Sequence, residues 1–419
     1  MSNLEVRTRI APSPTGEDMH IGNIYAALFN FVFARQKKGK FIFRLEDTDR
    51  TRFVPVYEKR ALESISWLGL NYDEGPNIGG PFGPYRQSER LKLYQKYAQE
   101  LVNKGQAYYC FCSEERLTKM RKEQQASGLP PKYDRKCRAL AKEKIKEQGA
   151  KKIPYVIRLK IPDNEKIEFN DLIRGTVSFD SNVIDDQILL KSDGYPTYHL
   201  AVVVDDHLME ITHVIRAEEW LSSVPKHILL YNALGWELPT FAHLPVLRNP
   251  DKSKMSKRKN PVWTSWYRKQ GFLPEAILNY LALLGWSHPE EKEVFALDEL
   301  IEKFSFDRFS KTGPIFDLQK LEWMNGVYIR QLKVTELNEK LKMKNEKLKK
   351  VDQRYLTRVI PLVQERMKKL SEFDELTDFF FTDEIEVDPK LLVQKGKGAQ
   401  QTKAALSSFL SLLSPLNPL

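Results

Sequence analysis

Cysteine is scarce: three residues in a chain of 419. That supply cannot frame a disulfide-stapled scaffold and fits a reducing compartment. Long apolar runs are missing as well. No stretch of about 18 uncharged apolar residues occurs, so a membrane-spanning helix is not expected. The N-terminus lacks a leader pattern, because Glu5, Arg7 and Arg9 fall in a segment that reads as a core strand. Internal repeats, low-complexity linkers and a convincing nucleophile–base pair are also absent. These absences point away from secreted, membrane and triad-type hydrolytic proteins. They leave a cytoplasmic protein of several domains, long enough for a large core.

Positive charge is abundant. The formal net charge is +10, with a 42% apolar fraction ordinary for a globular chain. The excess is uneven. Residues 331–370 hold twelve Lys or Arg against five Asp or Glu, a net of +7. Such a run is either a solvated helical face or a surface that meets a polyanion.

Two short segments carry the most information. Near the start stands Arg9-Ile10-Ala11-Pro12-Ser13-Pro14-Thr15-Gly16-Glu17-Asp18-Met19-His20-Ile21-Gly22-Asn23. Well past the middle stands Lys254-Met255-Ser256-Lys257-Arg258. The residues Val6 to Ala11 read as a short buried strand, and Pro12, Pro14 and Gly16 then forbid regular structure. A helix is expected from near Gly22, because Ile21, Ile24, Leu28, Phe31 and Val32 recur at helical spacing, and Gly39 suits its end. Lys40 to Glu46 reads as the next strand. Strand, glycine turn, helix and strand open a nucleotide-binding α/β domain. The helix start would receive a nucleoside triphosphate, and the later cations its phosphates.

This pair resembles the two signature motifs of class I aminoacyl-tRNA synthetases, and the surrounding residues resemble the glutamyl-tRNA synthetase branch. Further motifs follow in family order: Arg44-Leu45-Glu46-Asp47-Thr48-Asp49, Gly194-Tyr195-Pro196-Thr197-Tyr198-His199-Leu200-Ala201, Val204-Asp205-Asp206-His207, Val214-Ile215-Arg216-Ala217-Glu218-Glu219-Trp220, Leu247-Arg248-Asn249-Pro250-Asp251, and Phe316-Asp317-Leu318 with Trp323-Met324-Asn325-Gly326. The resemblance spans Arg9 to at least Phe373. It implies a Rossmann-type α/β catalytic domain with an α+β insertion, followed by an all-α anticodon-binding region. The expected divisions are 1–108 for the first catalytic half, 109–181 for the acceptor-binding insertion and 182–245 for the second half. A stem-contact region with the Lys-Met-Ser-Lys-Arg loop takes 246–324. The helical anticodon-binding region takes 325–419, and it looks shortened against the family.

The implied chemistry is ATP-dependent attachment of L-glutamate to tRNA-Glu through a glutamyl adenylate, by a monomer needing ATP and Mg²⁺. A carboxylate is already a nucleophile, so alignment and charge stabilisation suffice. By resemblance, His20, Lys254 and Lys257 are catalytic. Arg9, Ala11, Ser13, Glu46, Tyr195 and Arg216 hold glutamate, with Arg9 and Arg216 on its γ-carboxylate and Glu46 on its ammonium. His20, Gly22, Asn23, Glu219, Leu247, Lys254, Ser256, Lys257 and Arg258 contact ATP. Asn23 departs from the family, which usually has a second histidine there. Cys110, Cys112 and Cys137 match a zinc pattern of some members, but Ala139 stands where those carry a fourth ligand, leaving Tyr133 or water to complete the set.

Other readings of the sequence are a glutaminyl-tRNA synthetase, a tRNA-base glutamylating relative, a small nucleotidyltransferase and a non-catalytic RNA-binding paralogue. The Gly194-Tyr195 and Arg216 motifs argue against the first. The long basic helical tail argues against the next two. The retention of Lys257, Arg9 and Glu46 argues against the last. One sequence does not separate tRNA-Glu from tRNA-Gln, or bacterial from organellar origin.

Overall fold

The computed structural model describes residues 5–255, 261–382, 388–393 and 396–413. It forms two compact units, residues 1–331 and 332–419.

In the first unit, strand β1 (Arg7–Ile10) is buried along its whole length and pairs in parallel with β2 (Lys40–Phe43). Helix α1 (Ile21–Gln36) connects them, which makes a βαβ unit of the expected kind. Twelve residues of α1 are buried, as expected of a helix that is apolar on most sides. Two charged side chains of β1 survive burial because each has an acid. Arg7 donates to both oxygens of Glu74 at 2.7 and 2.9 Å, and Arg9 to both oxygens of Asp206 at 3.1 and 3.2 Å. Gly39 is fixed by crowding: a Cβ there would stand 2.0 Å from the Val6 carbonyl oxygen.

Helices α2 (Tyr57–Trp67) and α3 (Leu91–Asn103) follow, then strand β3 (Ala107–Cys110), helices α4 (Glu114–Ala126) and α5 (Lys142–Ala150), and strand β4 (Val156–Leu159). Strands β5 (Lys166–Asp171) and β6 (Gly175–Asp180) form a hairpin, and β7 (Ile188–Leu190) comes next. Helix α6 (Tyr198–Leu208), strand β8 (His213–Ala217), helix α7 (Val224–Leu234) and strand β9 (Thr240–Leu244) complete the α/β part.

Pairing does not follow chain order. One antiparallel sheet runs β3-β4-β7, and a second sheet runs β6-β5-β9-β8. Thus the β5–β6 hairpin, inside the expected insertion, joins the β8 and β9 sheet, whereas β7, beyond its expected end, pairs with β4. Strand β1 is tied to the entry of β8, since Thr212 donates its backbone N–H to the Arg7 carbonyl at 3.0 Å. The apolar run Ala201 to Val204 lies in α6 and is buried there. The unit ends with α8 (Thr264–Gln270), α9 (Pro274–Gly285), α10 (Leu297–Lys303) and α11 (Leu318–Gln331). Helix α11 runs unbroken through Met324 and Asn325.

The second unit is helical among its described residues, with α12 (Val334–Lys344), α13 (Gln353–Gln364), α14 (Glu372–Thr377) and α15 (Ala399–Leu413). The Asp352 carboxylate caps α13 by accepting from the N–H groups of Arg354 and Tyr355. Leu337, Leu341, Leu356, Ile360 and Phe373 are among its buried residues. Among the described residues, no helix is long and apolar enough to cross a membrane.

Candidate active site

A cavity of about 360 Å³ opens where β1, β2 and β8 end, the usual crevice of a parallel α/β sheet. Its walls include Arg9 and Ala11 from β1 and the loop after it, Glu46 beyond β2, and Arg216 on β8. His20, Gly22 and Asn23 enter from the start of α1, and Glu219, Leu247 and Lys254 from later loops. These sequence-selected residues are therefore brought together. Ser13 and Tyr195 are not on this wall. Ser13 is exposed on the proline-rich loop. Tyr195 sits in the turn before α6, where its N–H is held by Asp193 and its ring lies beside Lys191. Tyr198, at the first turn of α6, lines the cavity instead. Ser256, Lys257 and Arg258 lie outside the described residues.

The loop after β1 is anchored on both sides. The backbone N–H of Glu46 donates to the Pro12 carbonyl at 3.0 Å, which sets Glu46 beside Ala11. Buried Asp18 accepts from Ser64 Oγ at 2.9 Å and from the Ser265 N–H at 2.7 Å. The His20 ring caps α1, its Nδ1 accepting from the Gly22 N–H at 3.0 Å. A Cβ at Gly22 would press to 3.2 Å from that nitrogen. The Ile21 N–H donates to Val262 at 2.7 Å, so the helix start is joined to the chain just beyond the cationic motif. Lys254 forms an ion pair with Glu219 on the same wall.

A buried ion cluster lies beneath. The Asp206 carboxylate bridges Arg9 and Arg44, while Asp205 accepts from Arg90 at 2.7 Å and from Tyr94 and Gln87. Glu46 accepts from Arg44 at 3.2 Å. Burial opposes the charge on Asp206, but the Arg9 and Arg44 guanidiniums overcome it and hold that carboxyl below its usual range. For Glu46 burial wins over the same two arginines, and its carboxyl is raised. Among the described residues that line the cavity, three cations (Arg9, Arg216, Lys254) face two carboxylates (Glu46, Glu219), an excess of one positive charge.

Arg216 is held on three sides. Its Nε donates to His243 Nε2 at 3.1 Å, one terminal nitrogen to the Tyr198 hydroxyl at 2.9 Å, and the other to the Trp220 carbonyl at 3.3 Å. A guanidinium has five N–H groups, so one remains on each terminal nitrogen. Asp206, Tyr198, Trp220 and His243 were not singled out from the sequence for this site. The first three stand inside quoted motifs, but only the fold shows which way they face. His243 belongs to a different strand and carried no local signal.

A second cluster sits in the β3–β4 region. The sulfur atoms of Cys110, Cys112 and Cys137 lie within 4.8 Å of one another. The Tyr133 hydroxyl is 3.3 Å from Cys110 Sγ and 3.5 Å from Cys112 Sγ. Tetrahedral zinc thiolates have edges of about 3.8 Å, so this spacing fits such an ion. Arg116 lies 3.4 Å from Cys112 Sγ, and Arg158 stacks over the Tyr133 ring at 4.0 Å, two cations that would offset the charge of thiolate ligands. A hydrogen bond from Cys137 draws the Cys110 thiol below its ordinary range.

Residues 5–323 match the family model for class I tRNA synthetases (E and Q), catalytic domain. The chain belongs to that family. Residues 333–419 match the model for an anticodon binding domain. A glutamate–tRNA ligase of Thermus thermophilus is 52% identical over 388 residues, covering 92% of this synthetase and 81% of the relative. That of Fusobacterium nucleatum is 51% identical over 414 residues, covering 97% and 81%. A crystal structure of a glutamate tRNA ligase from Elizabethkingia meningosepticum in complex with its amino acid superposes with a TM-score of 0.88 at 36% identity, covering 98% of this synthetase and 86% of that chain.

Proposed function

We infer that this synthetase attaches L-glutamate to tRNA-Glu in translation, using ATP and releasing AMP and diphosphate. The observation that carries the reading is the cavity floor, where Arg9 and Arg216 meet Glu46 under an excess of one positive charge. Free glutamate is its complement: two carboxylates and one ammonium. The γ-carboxylate takes the remaining N–H groups of Arg216 with Arg9 nearby, and the ammonium donates to Glu46. An α-carboxylate oxygen then forms a bond to the ATP α-phosphorus while the bond to the diphosphate breaks. A ribose hydroxyl of the terminal tRNA adenosine next attacks the acyl carbon, and AMP leaves. His20, Gly22 and Asn23 receive the nucleotide at the start of α1, and Lys254 meets the phosphates after parting from Glu219. Lys257 supplies further charge to the diphosphate as it leaves. Mg²⁺ bound with the ATP phosphates would offset part of their charge. The helical unit 332–419 contacts the tRNA anticodon arm. ATP-dependent transfer of labelled glutamate to purified tRNA-Glu tests the reading, and no transfer at saturating ATP and tRNA would overturn it.

Glu46 gives this account a pH signature. It receives the ammonium only when ionised, and burial raises its carboxyl above the ordinary range. Glutamate binding is therefore complete above the raised value and lost as pH falls through it. The KM for glutamate should climb on the acid side, while the KM for ATP stays flat. In Glu46→Gln the KM should be high throughout and lose that acid limb. An unchanged acid limb in the variant would assign it to another group.

We propose also that Cys110, Cys112, Cys137 and Tyr133 hold a structural Zn²⁺. Purified protein should carry about one zinc per chain, and Cys137→Ser should lose it, since such sites need their full ligand set. Metal analysis reads both. Zinc retained at the wild-type level in Cys137→Ser would remove Cys137 from the ligand set.

A further inference from the structure

Arg216 does not reach its position alone. Three neighbouring strands, β5, β9 and β8 in sheet order, carry Asp171, His243 and Arg216. Arg216 and His243 are register partners across the parallel β8–β9 pair, so their side chains leave the same face. His243 Nδ1 lies 2.6 Å from Asp171 Oδ2, and Arg216 Nε lies 3.1 Å from His243 Nε2. The side chains of Asp171 and His243 are both fully buried.

Only one proton arrangement satisfies this chain. Arginine Nε–H is solely a donor, so His243 Nε2 must accept. The imidazole proton then sits on Nδ1 and donates to Asp171. Asp171 is itself locked, because its Oδ1 accepts from the N–H groups of Ile173 at 3.0 Å, Arg174 at 2.9 Å and His243 at 3.2 Å. A protonated imidazole would set donor against donor and cation against cation. Burial and the Arg216 charge keep it neutral against the pull of Asp171.

We propose that Asp171 and His243 are positioning residues that fix the aim of Arg216, and through it the preference for a γ-carboxylate over an amide. Neither touches the substrate: among the described residues, neither lines the cavity. With Nε anchored, Arg216 cannot swing aside. It meets any incoming side chain as a pure donor, which suits two carboxylate oxygens and opposes an amide NH₂. The proposal rests on the glutamate reading above and adds the device that enforces it.

Asp171→Asn is the sharp test. Three backbone N–H groups demand an oxygen at Oδ1, so the new NH₂ must face His243 Nδ1. That nitrogen becomes the acceptor, the imidazole proton moves to Nε2, and a donor now opposes Arg216 Nε–H. The KM for glutamate should rise about ten- to a hundredfold, the scale of a lost hydrogen bond to a charged group. The KM for ATP and the kcat at saturating glutamate should stay near wild type, and discrimination against glutamine should fall. His243→Gln retains an acceptor for Arg216 and should suffer less than His243→Leu. That pair carries the test if Asp171→Asn does not fold. A glutamate KM unchanged in Asp171→Asn or His243→Leu would overturn the proposal. So would a parallel loss in glutamate KM, ATP KM and kcat, which is what a merely structural pair would give. If wild-type protein charges no tRNA with glutamate, the functional reading fails. If it charges normally and the variants match it, the positioning role alone fails.

Discussion

Arg216→Gln should lower kcat/KM for glutamate about a thousandfold while glutamine use holds or rises. The guanidinium offers the ligand one N–H on each terminal nitrogen, and its other three are committed to His243, Tyr198 and Trp220. Two hydrogen bonds between charged groups are worth about 3–5 kcal/mol together. Their loss also removes the excess positive charge at the cavity floor. An amide side chain at 216 has both a donor and an acceptor, so it opposes glutamine less than arginine does. Steady-state charging with each amino acid reads the change. Retention of the wild-type glutamate preference would mean that another residue reads the side chain.

Asp206→Ala should be the most destabilising of the simple substitutions in the site. It leaves Arg9 and Arg44 facing each other without their shared carboxylate, and Arg44 is fully buried. Breaking a buried charge pair from one side costs about 3–5 kcal/mol, which lowers a melting midpoint by on the order of 10 °C. Asp206→Asn keeps the shape and an acceptor and should cost less. The pH dependence has a definite sign. The Asp206 carboxyl sits lower in the folded protein than its usual value, so its stabilisation is present at neutral pH. It is lost as pH falls through that depressed value. Thermal melts of wild type and both variants at neutral and acid pH test this. A melting midpoint for Asp206→Ala equal to wild type would show that the two arginines find other partners.

Much of the local structure was legible in the sequence because its signals are short-range. The spacing of Ile21, Ile24, Leu28 and Phe31 marks α1, and Pro12, Pro14 and Gly16 mark the loop before it. Strand β2 stops at Phe43, short of the expected Glu46: the N–H groups of Arg44 and Glu46 still donate to Ile10 and Pro12 in the same register, but Pro12 has no N–H to return a ladder bond. Sheet membership was not legible. Strands β5 and β6 alternate like any half-buried hairpin, and nothing local says that β5 pairs with β9 about seventy residues later. The site shows the same split. Arg9, Glu46 and Arg216 stand in motifs, so their type and order suggest a carboxylate-binding pocket. Choosing Tyr198 over Tyr195 requires the start of α6, and finding His243 and Asp171 requires the β5-β9-β8 order.

The central claim is that a cavity with one excess positive charge selects glutamate for attachment to tRNA. Charging purified tRNA-Glu with glutamate or glutamine in direct competition, at saturating ATP, tests it most directly. The account predicts glutamate on the tRNA, AMP and diphosphate released with it, and glutamine excluded. Glutamine attached in preference to glutamate would contradict it.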